Sequence, residues 1–112
     1  MELKNATLKT FKEISQQLEI SENTLKLWFK SDNPPPSVRF SSITRIDPKS
    51  FFEFFDAADV EYISPRSVAD AFKITPTAVR LWCNSGKLKK VQFMGSVRIP
   101  KSDFSKILTS RA

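Results

Sequence analysis

"TPTAVRLWCNSGKLKK", residues 75–90, is the stretch whose reading decides the fold. A threonine followed by proline marks a helix start, with Thr75 as N-cap and Pro76 at the first helical position. Val79, Trp82 and Cys83 then recur at i, i+3 and i+4, which places them on one buried helix face. Gly86 follows, suited to the left-handed position just past a helix end. Lys87, Lys89 and Lys90 come next. The stretch therefore predicts a short amphipathic helix that runs out into a basic loop.

Working outward, Ser64-Pro65 signals a preceding helix that buries Val68 and Phe72. Two short helices joined by a turn of a few residues make a helix-turn-helix. Downstream, Val91-Gln92-Phe93 and Val97-Arg98-Ile99 alternate apolar and polar around Met94-Gly95-Ser96, the pattern of a β-hairpin with glycine in its turn. A third helix is expected from near Ser102-Asp103. Helix, turn, helix, hairpin and helix together describe a winged helix-turn-helix.

The same order is written earlier in the chain. At an offset of 54, Ile20 meets Ile74, Leu27 meets Leu81, Trp28 meets Trp82 and Ser31 meets Ser85. Past Pro34-Pro35-Pro36 the offset becomes 53, pairing Val38 with Val91, Phe40 with Phe93, Arg45 with Arg98, Ile46 with Ile99 and Phe51 with Phe104. Thr10 and Glu13 form a capping box, and Ser21 caps a second helix that buries Leu25, Trp28 and Phe29. Val38-Arg39-Phe40 and Thr44-Arg45-Ile46 echo the hairpin around Ser41-Ser42-Ile43, and a third helix is expected from near Asp47-Pro48. The expected class is α+β, mostly α, with two tandem winged modules at residues 1–60 and 61–112. Ala57 to Glu61 hold no glycine or proline and are expected to continue the first module's third helix almost to Tyr62. Phe52 or Phe55 is expected to pack against the second module.

The stretch "SPRSVADAFKITPTAVRLWCNSGKLKKVQFMGSVRIPKSDFSKIL" resembles the MerR-like winged-helix domains of phage and plasmid excisionases. The shared features are the capped turn, a basic residue two before the tryptophan, the glycine-containing exit and Arg-Ile-Pro at the hairpin's end. Residues 62–108 carry the likeness well and residues 8–56 more weakly. The resemblance implies duplex DNA as partner, and a role as recombination directionality factor or transcription regulator of a phage, plasmid or other mobile element. An integrase or a second copy of the chain are further partners in that setting.

Charge distribution agrees with an anionic partner. The 112 residues carry a net charge of +6. Residues 1–60 hold 8 Lys+Arg against 9 Asp+Glu, and residues 61–112 hold 10 against 3. All the excess positive charge lies in the second half. One cysteine, no apolar h-region at the N-terminus and no long apolar run lead to the expectation of a cytoplasmic, membrane-free protein.

Candidate DNA contacts follow from these patterns. On the second module's helix two they are Thr75, Thr77, Arg80 and Asn84, with Arg80 suited to guanine or to a phosphate. Solvation alone also accounts for an arginine there. Phosphate and wing candidates are Lys87, Lys89, Lys90, Ser96 and Arg98. The first module offers weaker candidates in Asn23, Lys26, Lys30, Arg39 and Arg45, and Arg45 has a structural ion pair as its alternative role. Trp28 and Trp82 are read as core. The chain has no histidine and two glycines, so zinc chemistry, Cys–His catalysis and a glycine-rich phosphate loop are not expected, and neither are enzymatic activity, a cofactor, a metal or a small-molecule substrate. A protein-interaction adaptor that no longer reads DNA is the rival function.

Overall fold

A computed structural model describes residues 8–109. The described residues form two compact units that divide after Asp59.

In the first unit, α1 (Phe11–Leu18) and α2 (Glu22–Phe29) form a helix-turn-helix arrangement, followed by β1 (Val38–Phe40), β2 (Ile43–Arg45) and α3 (Pro48–Phe54). Thr10 and Glu13 close the capping box at the start of α1. The turn to α2 runs through Glu19 at φ 54°, a left-handed residue without glycine that costs about 1–2 kcal/mol. Ser21 Oγ accepts the Thr24 amide at 3.0 Å and caps α2. Ile14, Leu18, Leu25, Trp28, Ile46, Phe51 and Phe52 form the core. Phe51 is its hub: its ring lies 6.1 Å from Phe29, stacked, and 5.2 Å from both Phe52 and Phe55.

The second unit adds a strand at its start. β3 (Tyr62–Ile63) pairs antiparallel with β5 (Ser96–Pro100), which also pairs with β4 (Val91–Phe93), so the strand order is β3-β5-β4. α4 (Pro65–Phe72) and α5 (Pro76–Asn84) lie between β3 and the hairpin, and α6 (Lys101–Thr109) follows β5. Ser64 and Thr75 cap α4 and α5, each followed by proline, as their sequences require. Lys73, at φ 58°, makes the turn between them. Val68, Ala69, Val79, Cys83, Leu88 and Ile99 form the core, with Phe72, Trp82, Phe104 and Ile107 packed around it. Sequence analysis gave no sign of β3, because two residues are too short for any alternation to register.

One local expectation needs correction. α3 does not run on toward Tyr62. It stops at Phe54, and Asp56 at φ 53° lets the amides of Asp56 and Ala57 bond Glu53 O and Phe52 O at 3.0 and 2.9 Å, which is a Schellman end. Within the first unit, Phe55 meets Trp28 at 5.9 Å and Phe51 at 5.2 Å. In both hairpin turns the positive φ falls on a residue other than glycine, Met94 (52°) and Ser41 (57°). The first hairpin therefore turns the chain without glycine, between Phe40 and Ile43. Among the described residues, no helix is long and apolar enough to cross a membrane.

Candidate nucleic-acid interface

α5 supplies the centre of the site. At 100° per residue, Thr77, Arg80, Leu81 and Asn84 fall within one sector of the helix, and all four are exposed. The opposite side buries Val79 and Cys83. This division follows from the sequence period, since the apolar set has to face α4 and the remainder has to face solvent.

The helix ends are built to hold this face still. Thr75 Oγ1 accepts the Ala78 amide at 3.2 Å, so the cap uses part of a side chain expected to meet DNA. At the other end Gly86, at φ +85°, permits Gly86 N–H to bond Cys83 O at 3.2 Å and Lys87 N–H to bond Trp82 O at 2.9 Å. That is again a Schellman end, and it aims the lysine loop away from the helix axis. The loop is tied down once more where the Lys89 amide donates to Asp103 Oδ2 on α6 at 3.2 Å.

Helix, loop and wing meet at one recess of about 120 Å³, lined by Pro65, Arg80, Cys83, Asn84, Lys90 and Val97. Lys90 Nζ donates to Asn84 Oδ1 at 3.1 Å, which orients both side chains together. Among the described residues no hydrogen bond or ion pair engages the Arg80 guanidinium, leaving its donors available to an incoming acceptor. Lys89, next to Lys90 in the chain, is exposed. Lys87 lies elsewhere, lining a groove with Trp82 and Ile107. Arg98 is half-buried, and its Nη1 donates to Val97 O at 2.8 Å, so the guanidinium folds back along its own strand. Ser96 is half-buried opposite Phe93 at the turn.

The equivalent face of α2 carries Asn23, Lys26, Leu27 and Lys30, all exposed. Its electrostatics differ. Glu22 stands in the first turn and pairs with Lys26 at 3.4 Å, and Lys26 also sits 6.0 Å from the centre of the Phe11 ring. At the corresponding place α5 has Pro76 and no carboxylate. Arg45 Nη1 donates to Thr44 O at 2.9 Å, so it meets a carbonyl where a carboxylate was the alternative expectation. Arg39 is exposed on β1.

Cys83 lines the recess from the buried side. Burial raises its thiol pKa above the ordinary value, opposed by the nearby Lys90 charge. The thiol therefore stays protonated and a poor nucleophile. Among the described residues, no group of three or more His, Cys, Asp or Glu side chains could hold a metal ion.

Leu81 was missed by sequence reasoning. It is 61% exposed on the same face as Arg80, and Leu27 is 64% exposed at the matching place on α2. The signal was present: Leu81 lies four residues after Thr77, off the Val79–Cys83 core stripe. An apolar side chain on such a face is suited to the thymine methyl group.

Comparison with known proteins agrees with this geometry. Residues 62–112 match a family model described as "Helix-turn-helix domain". No curated protein and no solved structure matches the chain. The match spans α4, α5, the β4–β5 hairpin and α6, so the unit that carries the exposed Arg80 face is similar to a helix-turn-helix domain.

Proposed function

We propose that the protein is a sequence-specific duplex DNA-binding protein built from two winged helix-turn-helix modules, of which the second reads the site. It would serve a phage, plasmid or other mobile element in the cytoplasm, as a recombination directionality factor or a transcription regulator. The observation that carries the reading is the single exposed face of Thr77, Arg80, Leu81 and Asn84, with Lys90 joined to it through Asn84. A helix in the major groove presents such a face to base edges, while lysines beside it neutralise phosphates. The hairpin β4–β5 takes the place of the wing. The absence of acidic side chains from α5 and from the loop through Lys90 supports this assignment.

Selection of duplexes from a random pool with the full chain tests the proposal. A defined site should emerge, and its affinity should fall with salt at a slope of about −0.9 per phosphate neutralised. Charge reversal at Lys89 and Lys90 should abolish the footprint, and reversal at Lys26 and Lys30 should only trim it. No enriched site, or binding without a salt slope, would leave the protein-adaptor function as the better account. Dominance of the Lys26 and Lys30 pair would reverse the roles of the two units.

A further inference from the structure

The hairpin of the first unit has a bare apolar face. Phe40 is 80% exposed, its cross-strand partner Ile43 50% and Val38 42%. Opposed residues of an antiparallel pair share a side of the ribbon, so these three side chains stand together. In the second unit the matching side chain, Phe93, is fully buried, with the Tyr62 ring 5.1 Å away. The reason is local. Tyr62 stands on β3, and the corresponding residue of the first unit is Leu8, itself 41% exposed. The backbone bridge is present in both, as Lys9 with Ile46 and as Ile63 with Ile99. The aromatic cover is not.

We infer that Phe40 is a wedge that enters the minor groove of duplex DNA and opens a base step. Two observations choose this occupant. Residues 33–46 contain Arg39 and Arg45 and no acidic residue, so the exposed ring is presented on a purely cationic segment. The patch is also small: three side chains on a hairpin fall far short of the 20–30 residues a side that a stable protein interface needs. A wedge needs one apolar side chain at a narrow tip, flanked by cations, and a ring beside a two-residue turn meets that need. Arg45, opposite Val38, shares the side of the ribbon that carries Phe40 and supplies donors for phosphate or groove edge. The wedge rests on the DNA-binding function proposed above and adds to it a deformation of the duplex.

The test uses the full chain and the duplex that it enriches, labelled at both ends for bend measurement and carrying 2-aminopurine across the site. Wild type should bend the duplex by about 20–90° and raise the 2-aminopurine signal at one step. Phe40→Ala should lose both signals and weaken binding about tenfold, with an unchanged melting temperature because the ring is exposed. Phe40→Leu, which keeps an apolar wedge, should retain the bend. Wild-type binding with the bend and signal intact in Phe40→Ala overturns the wedge and leaves the binding function standing. So does a change in self-association of Phe40→Ala, by sedimentation, with DNA bending untouched. Failure of the wild type to bind any duplex overturns the binding function itself, and the wedge with it.

Discussion

Replacement of Arg80 by alanine separates base reading from simple charge. Arg80 is exposed, and among the described residues nothing holds its guanidinium, so its removal should leave folding unchanged. A bidentate contact to guanine contributes roughly 1–3 kcal/mol, or about 5- to 150-fold in affinity at 25 °C. That loss would fall on the selected site and spare mismatched duplexes. Lys26 provides an internal control at the matching register. It is already paired with Glu22 at 3.4 Å, an exposed i,i+4 pair worth about 0.3–0.5 kcal/mol, so a phosphate has to compete for it. Lys26→Ala should therefore weaken all sequences alike and lower the salt slope by about 1 at most. Glu22→Gln should release Lys26 and strengthen non-specific binding. Titrations of matched and mismatched duplexes at several salt concentrations measure all three. Equal losses for Arg80→Ala on every duplex would make it a phosphate clamp. No loss at all would refute the placement of the α5 face against DNA.

Gly86→Ala puts a Cβ where no atom lies within 4 Å, yet φ is +85°. The cost is conformational, about 1–2 kcal/mol, and should lower the second unit's Tm by roughly 4–16 °C in calorimetry. Phe51→Ala removes the hub of the first unit's aromatic cluster, at about 3–5 kcal/mol. A unit of this size has little more stability than that, so amide spectra of the full chain should lose the dispersed signals of the first unit. Cys83 should resist alkylation at pH 8 until urea unfolds the chain. The thiol pKa is raised in the folded state above its ordinary value of 9.0, so the unfolded chain deprotonates first, and stability is lost as pH rises above that value and through the higher folded one. Cys83→Ala should flatten that part of the decline.

Much of the second unit's helix-turn-helix was legible before any coordinates. Ser64-Pro65 and Thr75-Pro76 mark helix starts because an N-cap oxygen and a fixed proline φ act within four residues. Gly86 marks the exit because a left-handed residue there costs glycine nothing. Other left-handed positions were silent. Glu19, Lys73, Asp56 and Met94 carry positive φ without glycine, held there by backbone hydrogen bonds and packing that no single residue type announces. This is why Asp56 could end α3 where sequence pattern would have continued it.

The candidate site divides in the same way. Periodicity alone placed Thr77, Arg80 and Asn84 outside and Val79 and Cys83 inside, since one turn of helix fixes which neighbours share a face. Partnerships across loops needed the tertiary structure. The pairing of Lys90 with Asn84, the fold-back of Arg98 and the anchoring of Lys89 through Asp103 join residues brought together by chain reversal, not by spacing. Phe40 and Phe93 show the limit most plainly. Both are phenylalanines at matching places in similar hairpins, and the sequence of the hairpins assigned them one role. One is buried and the other bare because a ring arrives from β3 in one unit and a leucine stands in its place in the other. Helix ends and faces are set by neighbours in the chain, and so the sequence determined them. Which of two like side chains meets solvent depends on what packs above it, and only the tertiary structure decided that.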